Sequence, residues 1–374
     1  MNYRLILFFS ALLCAVTASL ACTSALVSGR LTADGRPLLW KHRDTNDMNN
    51  RIARIKAHDE CMEFVALFDA RDKQDTAAWT GINTAGFAIM NTASYNLNND
   101  NVPESDMDRE GVVMRRALEV CVTVDDFACL LDTLPKPLGV EANFGVMDAY
   151  GDAAYFETGN YKYVKYDLKD APEGYIVRTN YSHSGRPGEG YGFIREANAL
   201  HLLQPHVDAS DLMPWHFTEE LSRTFYHSLM DRDFTHSGDR WVVDQDFIPR
   251  RISTASIVVQ GVLPGETPDL TTMWVALGYP PCAPVNAVRT GEGGVPVELQ
   301  GTGPDNHSPL CDEVLRRKAE VFHIKKGNGK NYIDLSKLYN ADGTGYCQQL
   351  IPQNMATYKR VLEQLDNSRK QPKK

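Results

Sequence analysis

"CTSALVSGRLTADGRPLLWKHRDT", residues 22–45, holds two short apolar runs separated by polar residues and the turn pair Asp34-Gly35. Asp-Gly between β-type runs is a hairpin signal, because glycine supplies the positive φ that a tight turn needs. Folded on that turn, the stretch becomes two antiparallel strands, and Asp44 near its end comes back toward Cys22 at its start. What Cys22 is for therefore governs the reading of the whole chain.

The preceding stretch, MNYRLILFFSALLCAVTASLA, reads as a secretory signal peptide over residues 1–21. Arg4 is its charge, Leu5 to Ala18 form the apolar region, and Ser19-Leu20-Ala21 resembles a small-residue cleavage site. The apolar run is too short for a span of about 20 residues. A secreted or periplasmic protein beginning at Cys22 is expected. Two other uses of Cys22 stay open, a disulfide partner and a lipid anchor that would make the chain a membrane-attached lipoprotein. Lipoprotein leaders usually carry Leu three residues before the cysteine, where this chain has Ser19.

A cysteine freed at the N-terminus offers a thiol and an α-amine on one residue. Their ordinary pKa values, about 8.5 and about 7.7–8.0, make proton transfer between them nearly balanced. The amine can serve as the base that activates the thiol. Such an amine needs a partner to hold it, and Asp44 is the nearby anion.

The bulk numbers narrow the alternatives. The chain has 374 residues and a formal charge of −9, enough length for a sizeable core and no basic stripe for nucleic acid. Lys and Arg concentrate only in the tail, residues 367–374. Eight cysteines are encoded. Cys14 leaves with the leader, so Cys22, Cys61, Cys121, Cys129, Cys282, Cys311 and Cys347 remain. That odd set leaves at least one thiol without an intramolecular partner, and Cys22 is the one with a reason to be free. Cys121 and Cys129 could equally be buried thiols or a bridge. No C-x-x-C pair supports a zinc ribbon or thioredoxin-type site.

β-Type runs dominate the first half: "TSALVSG", "PLLWKHRD", "EFVALFD", "AAWTGIN" and "GFAIMNT". Helical stretches follow in "DREGVVMRRALEVC" and "TVDDFACLLDTL", the second opened by Thr123 as N-cap with Asp126 three residues on. Strand signals return in "NFGVMDAYGDAAYFETG", turned at Gly151-Asp152, and in "KYVKYDL" and "GYIVRTN". Residues 193–204, 217–230, 311–324 and 349–366 read as helices, with strands "TASIVVQGV" and "TTMWVALG" between them. Blocks of strand alternating with blocks of helix indicate α+β with largely antiparallel sheets.

With these residues in place, the chain resembles the N-terminal-nucleophile amide hydrolases of the choloylglycine hydrolase and penicillin V acylase group, with the related isopenicillin-N acyltransferases. Cys22-Thr23 followed by "LWKHRD" is similar to that group's opening strand–turn–strand, with Lys41 and Asp44 in its functional places. "GINTAGFAIMNTAS", "NFGVMDAYGDAAYFETG" and "YIVRTNYSHSG" resemble later segments. The resemblance covers roughly residues 22–280. It implies a four-layer αββα sandwich, a single domain over residues 22–366, and a thiol amidohydrolase acting on linear C–N amides. Conjugated bile acids, penicillin V-type amides and N-acyl amino acids are the implied substrates. An acyltransferase on the same scaffold stays open, as does a non-catalytic lipoprotein or binding module.

The implied roles are Cys22 as nucleophile, Asp44 orienting its amine and Lys41 beside it. Asn180 Nδ2 and the backbone N–H of Asn91, ahead of Asn83, stabilise the oxyanion. Bile-salt hydrolases carry Arg at the Lys41 position, and Arg43 is the substitute charge. Arg251 in "PRRISTAS" is the expected counterpart of the group's late arginine. Asn180-Tyr181-Ser182 also fits an N-glycosylation sequon, and Asp44 or Asn180 alone would ordinarily be a turn residue. Trp79, Tyr95 and Phe144 are candidate wall residues, and aromatic core packing accounts for them equally well.

No metal or cofactor is called for. The histidines form no H-x-x-x-H pattern, and "DTNDMNN", residues 44–50, lacks the glycine and ligand spacing of an EF-hand loop. The expected partner is a small-molecule amide, with no nucleic acid and no membrane span. Oligomeric state, a homo-oligomer included, and disulfide pairing are not encoded in readable form.

Overall fold

The computed structural model describes residues 21–369. Residues 1–20 of the expected 1–21 leader and the last residues of the basic tail, 370–374, lie outside them. The described part of that tail, from 367, continues the final helix.

Two antiparallel sheets carry the architecture. The first runs in the order β10-β1-β2-β14-β15-β16, with β1 (Thr23–Val27), β2 (Leu38–Asp44), β10 (Tyr175–Arg178), β14 (Ser253–Gln260), β15 (Thr272–Leu277) and β16 (Val285–Val288). The second is a meander in chain order: β3 (Asn50–Ile55), β4 (Phe64–Asp69), β5 (Thr80–Asn83), β6 (Ala88–Ala93), β7 (Ala142–Met147), β8 (Ala153–Thr158) and β9 (Tyr163–Asp167). Two small ribbons pair β11 (Tyr226–His227) with β12 (Arg232–Asp233) and β13 (Trp241–Val243) with β17 (Tyr332–Asp334).

Alternation along each strand divides the core into three layers, because successive side chains face opposite ways. Leu26 and Leu39 of the first sheet meet Ile52, Leu67, Met90 and Tyr155 of the second in the inner layer. Ala25, Leu38 and Trp40 point outward, under α3 (Phe193–Ala209), α4 (Pro309–Val321) and α5 (Tyr346–Arg369). Phe64, Phe68 and Ile89 point outward from the second sheet, under α1 (Glu110–Val120) and α2 (Val124–Thr133). The result is the helix–sheet–sheet–helix sandwich that the family resemblance implied, built from the antiparallel sheets expected from the sequence.

Local rules hold where the chain is regular. Thr123 and Asp126 form a reciprocal capping box at the start of α2. The β1–β2 hairpin pairs Thr23 with His42 and Ser24 with Lys41, and Gly35 takes φ 77 in its connection. Residues 217–230 depart from the expected helix. A single π-helical turn, His216–Leu221, ends at Ser222, and Phe225 then donates its N–H to Thr235 Oγ1. A buried Arg223–Glu219 pair at 3.0 Å anchors that break. β3 carries no apolar alternation to announce it. It is an edge strand whose Arg51 and Arg54 pair with Asp75 and Glu63.

Candidate active site

The β1–β2 register places Cys22 one residue before Thr23, alongside Arg43 on the neighbouring strand. Even-numbered residues of β1 face the inner layer, so the Cys22 thiol points between the sheets. It borders a cavity of about 530 Å³. Lys41, Arg43, Trp79, Asn91, Tyr95 and Glu110 are among its other walls.

Cys22 follows a buried Ala21, so its nitrogen is a peptide N–H here. That N–H donates to Asn180 Oδ1 at 2.8 Å, and the thiol lies 3.9 Å from the Asp44 carbonyl oxygen. The Asp44 carboxylate faces the other side of β2. It accepts from Ser253 Oγ at 2.6 Å and from Arg250 Nε at 2.8 Å. His42 Nε2 contacts the same Ser253 hydroxyl at 2.8 Å. Burial holds His42 down at about 4, against the pull of Asp44, so the ring is neutral at pH 7.

Lys41 donates to Trp79 O and Asn91 Oδ1, each at 2.7 Å. Burial lowers its pKa to about 7; Cys22 opposes the shift and Arg43 adds to it. Arg43 pairs with Asp69 at 2.9 Å, hydrogen-bonds Asn50, and lies 5.1 Å from the centre of the Trp79 ring. On the opposite wall, at the start of α1, burial raises Glu110 to about 7, and its carboxylate accepts the Glu141 N–H at 2.9 Å.

The predicted residues do not all arrive in their expected attitudes. Cys22, Lys41, Asp44 and Asn91 border one cavity. Asn180 touches Cys22 through its oxygen, while Nδ2 donates to Ala93 O at 2.8 Å, so the nitrogen expected to face an oxyanion is engaged by backbone. Asn83 is buried elsewhere and donates to Leu118 O and Cys121 O. Arg251 gives its backbone N–H to Asp244 at 3.0 Å. The arginine on Asp44 is Arg250, one residue earlier, in the turn that leads into β14. Trp79 and Tyr95 line the cavity. Phe144 instead packs under α1 and α2.

Arg195 escaped the sequence reading. It is 1% exposed and donates to Cys22 O at 2.6 Å, Thr23 Oγ1 at 2.9 Å and Asn180 Oδ1 at 2.8 Å. A signal existed: Arg195, Ala199 and Leu203 recur every four residues on the buried face of α3. A charge in that stripe is a charge with a built partner.

All seven described cysteines are unpaired. Burial pushes Cys121 up to about 12 and Cys311 up to about 11, which keeps those thiols protonated and inert. Among the described residues no helix is long and apolar enough to cross a membrane.

Residues 74–205 match the family model described as acyl-coenzyme A:6-aminopenicillanic acid acyl-transferase. Over that segment the chain is similar to this acyltransferase family, one of those named in the resemblance. The matched segment contains Asn91, Asn180 and Arg195 and begins after Cys22 and Asp44. Solved structures similar to the chain include a Caenorhabditis elegans N-acylethanolamine-hydrolyzing acid amidase ortholog, at 13% identity and TM-score 0.40 over 65% of this chain and 94% of the other. Another is a mutant conjugated bile acid hydrolase from Clostridium perfringens, at 12% identity and TM-score 0.42 over 72% and 92%. A penicillin V acylase from Agrobacterium tumefaciens follows, at 12% identity and TM-score 0.39 over 72% and 87%. No curated protein matches the chain.

Proposed function

We propose that the protein is a secreted thiol amidohydrolase of linear amides, with Cys22 as nucleophile once the leader is removed. One observation carries the reading: the Cys22 thiol borders the cavity while its nitrogen is held at 2.8 Å by Asn180. Thiol and future α-amine thus sit on one residue at the substrate's door.

The steps follow from that placement. Cys22 Sγ attacks the amide carbonyl carbon, and its proton passes to the α-amine. The amine returns the proton to the substrate nitrogen as the C–N bond breaks, leaving a thioester on Cys22. Water attacks the thioester, the α-amine again carries the proton, and a carboxylic acid departs with the thiol restored. The backbone N–H of Asn91 is the proposed oxyanion donor, joined by Asn180 Nδ2 if the substrate oxygen displaces Ala93 O. Lys41 beside Asn91 adds positive charge to that corner, and Asp44 with Arg250 braces the end of β2 from behind. The 22–366 region acts as one domain, and the substrates implied by the resemblance are acylated amino acids, conjugated bile acids and penicillin V-type amides.

An acyl-transfer reading is favoured by the description of the matched family. It differs in one step, an amine replacing water at the thioester. The test is N-terminal sequencing of secreted protein, then turnover of an amide panel by wild type and Cys22→Ala, with and without an acceptor amine. A chain starting at unmodified Cys22 is expected, with turnover falling at least about 10⁴-fold in the variant. A lipidated or internal Cys22, or an active Cys22→Ala, sinks the reading. New amide in place of free acid would assign the transferase.

A further inference from the structure

The start of α3 is shaped around one side chain. Gly192 opens the helix at φ 93, and a Cβ there would stand 2.4 Å from Arg195 Nη2 and 2.8 Å from Thr179 Oγ1. Glycine is required for both reasons. The space it leaves lets Arg195 reach back from its first turn of helix to β1 and the Thr179-Asn180 segment.

A guanidinium only donates, so every atom facing it must accept. Arg195 Nη2 therefore dictates which end of the Asn180 carboxamide it meets: Oδ1, at 2.8 Å. The opposite end agrees, since Nδ2 faces Ala93 O, which can only accept. With the carboxamide fixed from both sides, the atom presented to the Cys22 nitrogen is an acceptor. The second guanidinium nitrogen, Nη1, clamps Cys22 O and Thr23 Oγ1, holding the backbone on which the nucleophile stands.

We propose that Arg195 is a positioning residue for the N-terminal nucleophile: it locks Asn180 so that Oδ1 receives one N–H of the freed Cys22 α-amine, and its charge keeps that amine unprotonated. The amine's lone pair is then left to take the thiol proton. This rests on the reading of Cys22 as a processed nucleophile. The titratable groups around Cys22 are Lys41, Arg43 and Asp44 from β2, Arg250 behind Asp44, Asp246 near Arg195, and Asp47, Asp69, Arg71, Asp108, Glu110, Glu141 and the neutral Tyr95 around the cavity. Asp44 is committed to Arg250 and Ser253, so it does not cancel Arg195. Burial lowers Arg195 to about 10, with Arg250 adding to the shift, and it is still a cation at neutral pH.

Two substitutions separate geometry from charge. Arg195→Lys keeps the charge but replaces the planar fork with a single nitrogen, which cannot span the acceptors that Nη1 and Nη2 reach separately. Arg195→Met removes both. In each, kcat should fall about 30- to 100-fold with KM changed less than about two-fold, because orientation rather than binding is lost. In Arg195→Met alone, the acid limb of kcat/KM should move up by about one pH unit, since an amine relieved of a neighbouring cation holds its proton more tightly. In an Asn180→Ala background, Arg195→Lys should cost less than about three-fold, because the partner it acts through is gone.

Additive losses, or a limb that stays put in Arg195→Met, would overturn the proposal. If Arg195→Met does not fold, Gly192→Ala displaces the guanidinium without removing charge. It should lower kcat with no limb shift, and wild-type kcat in Gly192→Ala and Arg195→Lys together would overturn the idea. An active Cys22→Ala removes the nucleophile reading itself. An inactive Cys22→Ala beside wild-type-like Arg195 variants removes this inference alone.

Discussion

The two faces of β2 do different work with adjacent residues. His42 and Asp44 face the helices and form a closed network with Ser222, Ser253 and Arg250, in which each carboxylate oxygen has a donor within 2.8 Å. Lys41 and Arg43 face the second sheet and border open space. A period of two puts charges of neighbouring sequence on opposite sides of a sheet. The closed side holds the strand in place; the open side leaves positive charge where a substrate can meet it.

Breaking the closed side should have the larger effect on stability. Asp44→Asn removes the hydrogen-bonded anionic partner of Arg250, leaving Asp244 and Asp246 as its anions, and loss of one partner of a buried pair costs about 3–5 kcal/mol. Urea unfolding should report a loss near the low end, about 3 kcal/mol, because Arg250 keeps some solvent contact. A loss under about 0.5 kcal/mol would mean the network is not bracing β2.

Lys41→Met tests the open side through pH. The Lys41 pKa falls to about 7 in the folded chain, first through burial, while the unfolded chain holds that proton to about 10.5. Between those values the unfolded state binds more protons, so this group makes stability rise as pH rises. The difference in urea midpoint between wild type and Lys41→Met should therefore change in favour of wild type from about pH 7 to about pH 9.5. A flat difference would show that Lys41 stays charged in the fold.

The smallest expected effect is at Trp79. Trp79→Leu removes the ring under Arg43, a contact of about 0.5–1 kcal/mol, and should raise KM a few-fold with kcat nearly unchanged. A kcat loss larger than the KM change would place Trp79 closer to the reacting atoms than a wall residue.

Correct and incorrect sequence readings divide along the range of the interactions. The capping box of α2 and the β1–β2 hairpin depend on residues close in the chain, and both formed as expected. The 217–230 helix failed because Glu219 and Arg223, four apart as a helix would want, are turned into a buried pair that closes a π-turn. Phe144 could not be assigned a face, since an aromatic in a doubly covered strand packs equally well on either side. Arg250 rather than Arg251 meets Asp44 because both lie in the turn ahead of β14, where no strand alternation fixes which side chain turns inward.

Residues 22–45 alone settle that Cys22, Lys41 and Asp44 lie at the same end of one strand pair, because a hairpin converts sequence distance into strand register. The α+β class with antiparallel sheets is equally a property of the sequence, through strand runs repeated along the chain between blocks of helix, while the four-layer sandwich was what the family resemblance implied. What Asp44 and Asn180 bind was decided elsewhere, by Arg250 and Arg195 arriving from 206 and 15 residues away. Side-chain attitude at a buried site is set by the donors that surround it, and those donors are neighbours in space before they are neighbours in sequence.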